Sequence, residues 1–223
     1  MAVEIKLFVE GGVLNSENVN IQTINNTVKL RESFYKLFAQ SVDPSVFRLE
    51  VYMGASDKNT AKLFKNDVAK KADALLLIDL DAGIYKDKAG KLKALDLVSI
   101  SNRVFFMVQE MEAWILSQPD KIEECFYYLK RVKENLEIAD DNTIKDKDIE
   151  KILKPSEKLK VILGRYFLVE KKGKQKKKKY DSKLKDGSDL LMLLDSSRLR
   201  KSFEDVNNLL IILESYHQKP DNL

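Results

Sequence analysis

The sequence has very few of the residues that form disulfides, soft-metal sites and histidine relays. Its 223 residues include one cysteine, one histidine, one tryptophan and four prolines. Cys125 alone cannot close a disulfide within the chain, and a zinc site needs several Cys or His ligands. His217 is the only imidazole, so a histidine-based catalytic relay has little to work with. Any bound metal is therefore expected to be a hard ion held by oxygen atoms.

Long apolar runs are also missing. No run approaches the roughly 18 residues that a membrane-spanning helix needs. The first residues, Met1–Lys6, lack the basic and apolar regions of a secretory signal. With 44% hydrophobic and 33% charged residues, the composition is typical of a globular protein. We therefore expect a cytoplasmic protein with no membrane partner.

The charge is unevenly distributed along the chain. Residues 171–185 contain nine lysines and one acid, Asp181, which leaves 30 basic and 34 acidic residues elsewhere, a net −4. A lysine-rich segment on an acidic body predicts a polyanion partner, with Lys176, Lys177, Lys178 and Lys179 as nucleic-acid-binding residues. The alternative is a solvated charge run without a partner. Gly173, and the lack of aromatic residues among the lysines of 171–179, favour a mobile loop over a surface that stacks bases.

The apolar pattern predicts an α/β fold. Strands are expected at Ile5–Val9, Phe47–Met53, Ala74–Ile78 and Val104–Val108. Helices are expected from about Asn26 to Ser41, from a cap at Asp57, and near residues 120–138, 146–163, 187–201 and 202–217, with a loop over Val13–Asn26. Strands that alternate with helices indicate a parallel, Rossmann-like sheet between helices. We predict an α/β core over residues 1–118 and a helical C-terminal part over 119–223 that carries the lysine-rich loop 171–185, in one compact unit.

Acidic residues follow three of the predicted strands. Glu10 ends the first strand, Asp79 and Asp81 end the third, and Glu112 comes shortly after the fourth. Ligands of open parallel sheets bind beyond the carboxyl ends of the strands. Alternation places Asp79 and Asp81 on one side, where their repulsion favours a cation between them. Mg²⁺ or Mn²⁺ is the expected ion because both prefer oxygen ligands.

Each motif also has a simpler interpretation. The segment Glu10-Gly11-Gly12 is commonly a turn, although the two glycines would also let a phosphate approach the backbone. A lone Asp-x-Asp is often a helix cap or a surface turn. Glu112 fits the exposed face of a helix whose Trp114 packs into the core. The sequence has no dinucleotide-binding fingerprint and no phosphate-binding loop.

Together these motifs resemble those of the TOPRIM domain, which topoisomerases, bacterial primases and the overcoming-lysogenization-defect nucleases share. The resemblance rests on an apolar strand that ends in Glu-Gly, Lys6–Gly12, and one that ends in Asp-x-Asp, Leu75–Asp81. A narrower resemblance is to an uncharacterised bacterial TOPRIM-like family found in restriction and phage-defence loci beside AAA-type or ABC-type ATPases. It rests on the segment Met107–Trp114, and on Lys183 followed by Leu190–Asp195.

The resemblance implies metal-dependent phosphoryl chemistry. Asp79, Asp81 and Glu10 would bind the metal, and Glu10 would also serve as general acid or base. Glu112 would complete a second metal position, and Lys183 would neutralise charge in the transition state. Nucleic acid and an ATPase are the implied partners, in a chain that could also form a homo-oligomer.

Two departures from the family pattern concern the strand ends. Gly54–Asp57 stands where the family tends to carry arginine, and Asp81 replaces a more frequent glutamate. These departures leave the metal site in place and concern the contacts with substrate. A second hypothesis, of another class, is a non-catalytic partner of an ATPase with a degenerate metal site. A third is a small-nucleotide hydrolase or ligase on the same fold.

Overall fold

The computed structural model describes residues 3–12, 21–43, 45, 47–80, 87–132 and 135–216. The strands are β1 (Val3–Val9), β2 (Phe47–Met53), β3 (Asp73–Leu80), β4 (Val104–Val108), β5 (Lys130–Arg131), β6 (Phe167–Lys171) and β7 (Lys174–Lys177). The helices are α1 (Ile21–Ala39), α2 (Asp57–Ala69), α3 (Lys88–Ala94), α4 (Glu112–Leu116), α5 (Pro119–Cys125), α6 (Pro155–Tyr166), α7 (Ser188–Leu193), α8 (Ser196–Ser202) and α9 (Glu204–Ser215).

Four parallel strands form the central sheet in the order β2-β1-β3-β4. Val9 is in register with Met53 on one side and with Leu77 on the other, so the carboxyl ends of these strands meet at one edge. Helices flank the sheet and make up most of the C-terminal part, so the predicted α/β class, parallel sheet and helical C-terminal part are confirmed. The TOPRIM-like character stays a prediction.

The side chains of each strand alternate between two apolar layers. Leu75 and Leu77 point into a layer that contains α1 and the C-terminal helices, whereas Leu76 and Ile78 point into a layer with α2. Asp79 lies on the same face of the strand as Leu75 and Leu77, because side chains two positions apart share a face. The third strand extends to Leu80, so Asp79 lies within it and points toward the C-terminal part.

Trp114 ties the C-terminal part to the sheet. It is fully buried, and its ring lies 6.4 Å from Phe34, 6.3 Å from Phe38 and 6.3 Å from Phe203 between centroids. Helices from both predicted parts therefore share one apolar core. At the outer edge of β4, the N–H of Phe106 donates to Asp205 Oδ1 of α9 at 3.2 Å, so this helix covers the strand's free backbone.

The lysine-rich segment is not the loop that the sequence predicted. β5, β6 and β7 form an antiparallel sheet in the order β5-β6-β7. Lys172 and Gly173 connect β6 to β7 with φ angles of 55° and 68°. Positive φ at both central residues is the geometry of a tight two-residue hairpin, which glycine favours. Residues 183–187 then form a π-helical turn. The sequence analysis did not predict β7 because this strand consists of lysine and glutamine. The β-branched and aromatic residues that favour strands lie only on β6.

Other boundaries differ from the sequence predictions. Helix α1 begins at Ile21, so the predicted loop over Val13–Asn26 is wrong from Ile21 onward, and residues 13–20 lie outside the described residues. Ser56, not Asp57, caps α2 through its hydroxyl. The helix predicted near 120–138 ends at Cys125. Of the helices in the described ranges, none has the length and apolar character that crossing a membrane requires.

Candidate functional site

Glu10 and Asp79 meet at the carboxyl edge of the central sheet. The N–H of Glu10 donates to Leu77 O at 3.0 Å, which continues the pairing of β1 with β3 by one residue. The N–H of Asp79 in turn donates to Glu10 Oε2 at 3.0 Å. The backbone of Asp79, on the neighbouring strand β3, therefore holds the side chain of Glu10 in place. These are two of the residues that were predicted to share a site.

Lys183 joins these residues from the far end of the chain. Its Nζ lies 2.7 Å from Asp79 Oδ2, and the Lys183 and Asp79 side chains are 19% and 12% exposed. The aliphatic stem of Lys183 passes beside Gly11, where an added Cβ would lie 3.7 Å from Lys183 Cδ. A charged pair with this little exposure is screened only weakly by solvent. The predicted combination of Glu10, Asp79 and Lys183 is thus assembled in the structure.

Glu112 lies in the same cluster but has a different partner. It is the first residue of α4 and is only 5% exposed, so the exposed-face interpretation is wrong. The hydroxyl of Tyr180 donates to Glu112 Oε1 at 2.8 Å. Gly187 makes room for this hydroxyl, since an added Cβ would lie 2.5 Å from Tyr180 Oη. Sequence reasoning missed Tyr180 because it follows four lysines and belongs to no recognised motif.

The acids of this cluster outnumber its cations. Burial, and then the charge of Asp79, raise the pKa of Glu10 to about 7, although Lys183 acts in the opposite direction. Burial also raises the pKa of Glu112. Burial by itself would lower the pKa of Lys183, but the charges of Asp79, Glu112 and Glu10 outweigh it, so the pKa of Lys183 is raised. With one ammonium group among three carboxyl groups, full ionisation would leave an excess of negative charge at this edge.

A second ion pair lies beside the cluster and was not predicted. Lys91 of α3 is 4% exposed, and its Nζ lies 2.8 Å from Asp57 Oδ2. The negative charge of Asp57 contributes to the raised pKa of Glu10, which places this pair within electrostatic reach. Burial opposes ionisation of Asp57, but hydrogen bonds from Lys91 and from the N–H of Lys58 outweigh it and lower the pKa of Asp57. No spacing in the sequence connects these two residues.

The two glycines after β1 have a packing role. Gly11 and Gly12 have φ angles of 122° and 74°, which favour glycine. An added Cβ on Gly12 would lie 2.6 Å from Thr27 Cγ2, so this turn packs closely against α1. Their predicted role in phosphate approach stays a prediction.

The four lysines predicted to bind nucleic acid differ in their surroundings. Lys176, Lys177 and Lys179 are exposed. Lys178 is different, because its Nζ lies 2.6 Å from Asp186 Oδ2 and 5.1 Å from the centroid of the Phe126 ring. It therefore fastens the hairpin to the body, and its charge is already paired.

The donor atoms of the cluster suit a hard metal ion. Carboxylates on adjoining strand ends, with an excess of negative charge, are the ligands that Mg²⁺ and Mn²⁺ prefer. Among the described ranges, no group of three or more Asp, Glu, His or Cys side chains is close enough to hold an ion. Asp81, the remaining predicted ligand, lies outside the described residues. Glu10 and Asp79 would thus supply part of a ligand set, with Lys183 beside it.

Comparison with known proteins assigns no family. The chain matches none of the protein-family models, curated proteins or solved structures with which it was compared.

Proposed function

We propose that this protein is a Mg²⁺-dependent or Mn²⁺-dependent phosphoryl-transfer enzyme acting on nucleic acid, most simply a TOPRIM-like nuclease. The observation that carries the proposal is the cluster of Glu10, Asp79, Glu112 and Lys183 at the carboxyl edge of a parallel sheet. Ligands of such sheets bind at that edge. An unbalanced group of buried acids is costly for folding and is typical of a functional site.

The residues of the cluster have distinct roles in this proposal. Glu10 and Asp79, together with Asp81, would hold the metal, which when bound stabilises negative charge on a phosphoryl group and orients water. Lys183 presents a fixed positive charge to the developing charge on phosphorus. Tyr180 fixes the orientation of Glu112, whose raised pKa suits it to hold a proton near the reacting atoms.

The resemblance to the defence-associated family extends the proposal to a role in anti-phage defence with an AAA-type or ABC-type ATPase. The motifs around Asp79, Glu112 and Lys183, on which the resemblance rests, support that role.

A non-catalytic partner of such an ATPase is the second candidate. It is favoured by the ion pair between Lys183 and Asp79, because an ammonium group already neutralises one of the predicted ligands. The site would then be degenerate and would need no metal.

A metal titration separates the two candidates. Isothermal titration of the protein with Mn²⁺ is expected to show a site whose affinity falls at least tenfold in Asp79→Asn, since this variant removes one ligand charge. Labelled DNA and RNA oligonucleotides incubated with Mn²⁺ should be cut by the wild type and not by the variant. Absence of both metal binding and cleavage in the wild type would leave the non-catalytic candidate.

A further inference from the structure

The basic hairpin, defined here as residues 167–179, is an ordered element at the surface of the protein. It is exposed at every position from Glu170 to Lys177. The register pairs Val169 with Lys176 and Lys171 with Lys174. Cross-strand partners share a face, and so do residues two positions apart on one strand. Lys171, Lys174 and Lys176 therefore emerge from one side of the hairpin. Along β7, Lys174 and Lys176 are separated by about 7 Å.

Few acids neutralise these charges. Glu170 is the only acidic residue of the hairpin. Within the described part of the chain, Lys171, Lys174, Lys176 and Lys177 form no ion pair, in contrast to Lys178. These ammonium groups are therefore available to an external anion.

Two exposed aromatic residues lie beside the hairpin. Tyr127 and Tyr128, defined here as the tyrosine pair, are 83% and 68% exposed. Their rings are 5.9 Å apart at an interplanar angle of 86°. They directly follow Phe126, whose ring lies 5.6 Å from that of Phe167 at the base of the hairpin. Two residues after the pair, Lys130 is in register with Leu168 of β6.

The same segment leads directly to the candidate site. After β7 the chain passes through Lys178, whose ammonium group holds Asp186, to Tyr180, which contacts Glu112. Three residues later Lys183 reaches Asp79. A strand held on the hairpin would therefore lie on the same stretch of chain that supplies the cation of the site.

We propose that the basic hairpin and the tyrosine pair form one binding surface for single-stranded nucleic acid. The lysines contact phosphates, and Tyr127 and Tyr128 stack on unpaired bases. A duplex keeps its bases stacked on each other, so the tyrosines add affinity only for a single strand. This inference rests on the proposed function and names its substrate class.

Binding is tested without metal, so that cleavage cannot intervene. Fluorescence anisotropy in EDTA would compare a labelled 20-nucleotide single strand of DNA or RNA with its duplex over a range of salt concentrations. The variant Tyr127→Ala/Tyr128→Ala is expected to bind the single strand at least tenfold more weakly, with an unchanged salt dependence and little change for the duplex. Tyr127→Phe/Tyr128→Phe keeps the rings and should restore the affinity.

The lysines should affect binding differently. The variant Lys174→Gln/Lys176→Gln/Lys177→Gln should weaken binding of both substrates and reduce the slope of log K against log salt by about 2, since each lost phosphate contact on a single strand contributes about 0.7. The matched control Lys62→Gln/Lys70→Gln/Lys93→Gln changes the same charge on α2, at the C-cap of α2 and on α3, and should leave the slope nearly unchanged. Tyr35→Ala, on α1, is the matched control for the tyrosine pair.

Three results would overturn the inference. These are equal affinity for duplex and single strand, an unaltered affinity in the tyrosine-to-alanine variant, and binding to phosphatidylserine vesicles without binding to oligonucleotides. Failure of the proposed function is distinguishable, because a protein that binds the single strand in EDTA but cuts nothing with Mn²⁺ retains this surface and lacks the enzyme activity.

Discussion

Replacing Glu10 by glutamine is expected to stabilise the metal-free protein at neutral and alkaline pH. Burial and the charge of Asp79 raise the pKa of Glu10 from 4.5 to about 7, so ionising this carboxyl group costs the folded state free energy. The difference corresponds to about 3 kcal/mol at 1.36 kcal/mol per pH unit. Screening at the partly exposed side chain reduces it to on the order of 2 kcal/mol. Glutamine keeps an oxygen that can accept the hydrogen bond from the N–H of Asp79.

The sign of the pH dependence follows from proton binding. Between pH 4.5 and about 7 the folded protein holds a proton on Glu10 that the unfolded chain has released. Glu10 therefore lowers the stability of the wild type progressively as pH rises through this window, and the penalty is constant above it. Glu10→Gln should match the wild type near pH 4.5 and exceed it by the full amount at pH 8.

Urea denaturation in EDTA from pH 4.5 to 8.5 measures this difference. Glu32→Gln is the matched control, because Glu32 is exposed on α1 and its replacement removes the same charge outside the cluster. A free-energy difference for Glu10→Gln that does not change with pH would refute the assignment of Glu10 to a buried acidic cluster. With Mg²⁺ added, the order should reverse if Glu10 is a ligand.

Three further changes test other contacts of the site by denaturation in EDTA. In a double-mutant cycle, Asp79→Asn and Lys183→Gln should show a coupling energy of about 1–3 kcal/mol, because each single change leaves one charge of the partly buried pair without its partner; a value near zero would contradict the ion pair. Tyr180→Phe should lower the free energy of unfolding by about 1–2 kcal/mol, since it leaves a buried carboxylate without its donor, and an unchanged stability would contradict that hydrogen bond. Gly12→Ala should lower the free energy of unfolding more than Gly173→Ala does. Both glycines have positive φ, but only an added Cβ at Gly12 would lie 2.6 Å from a neighbouring side chain. Equal losses of stability would contradict the close packing at Gly12.

The parallel sheet was predictable because its strands carry strong local signals. Val104–Val108 is a continuous apolar run, and its bounds agree with the sequence prediction. Glu10 and Asp79 could be placed together because neighbouring parallel strands end at one edge. Their proximity follows from topology, so a sequence pattern was sufficient to predict it.

Contacts made by distant segments could not be predicted in the same way. The ion pair of Lys91 with Asp57 depends on how α3 packs against α2, and no periodicity encodes that packing. The same holds for Tyr180, whose hydroxyl reaches a carboxylate 68 residues earlier. Strand β7 was missed because its pairing with β6, and not the propensity of its own residues, determines that it is a strand.

The position of Lys183 in the chain has a consequence for biosynthesis. Asp79 and Lys183 are 104 residues apart, so the sheet that carries Glu10 and Asp79 is translated long before its counter-charge. Until residue 183 emerges from the ribosome, the acids at this edge repel one another without an ammonium group between them. A nascent chain that stops before the π-helical turn should therefore be least stable at alkaline pH, and translation of the segment around residue 183 supplies the counter-charge of this sheet edge.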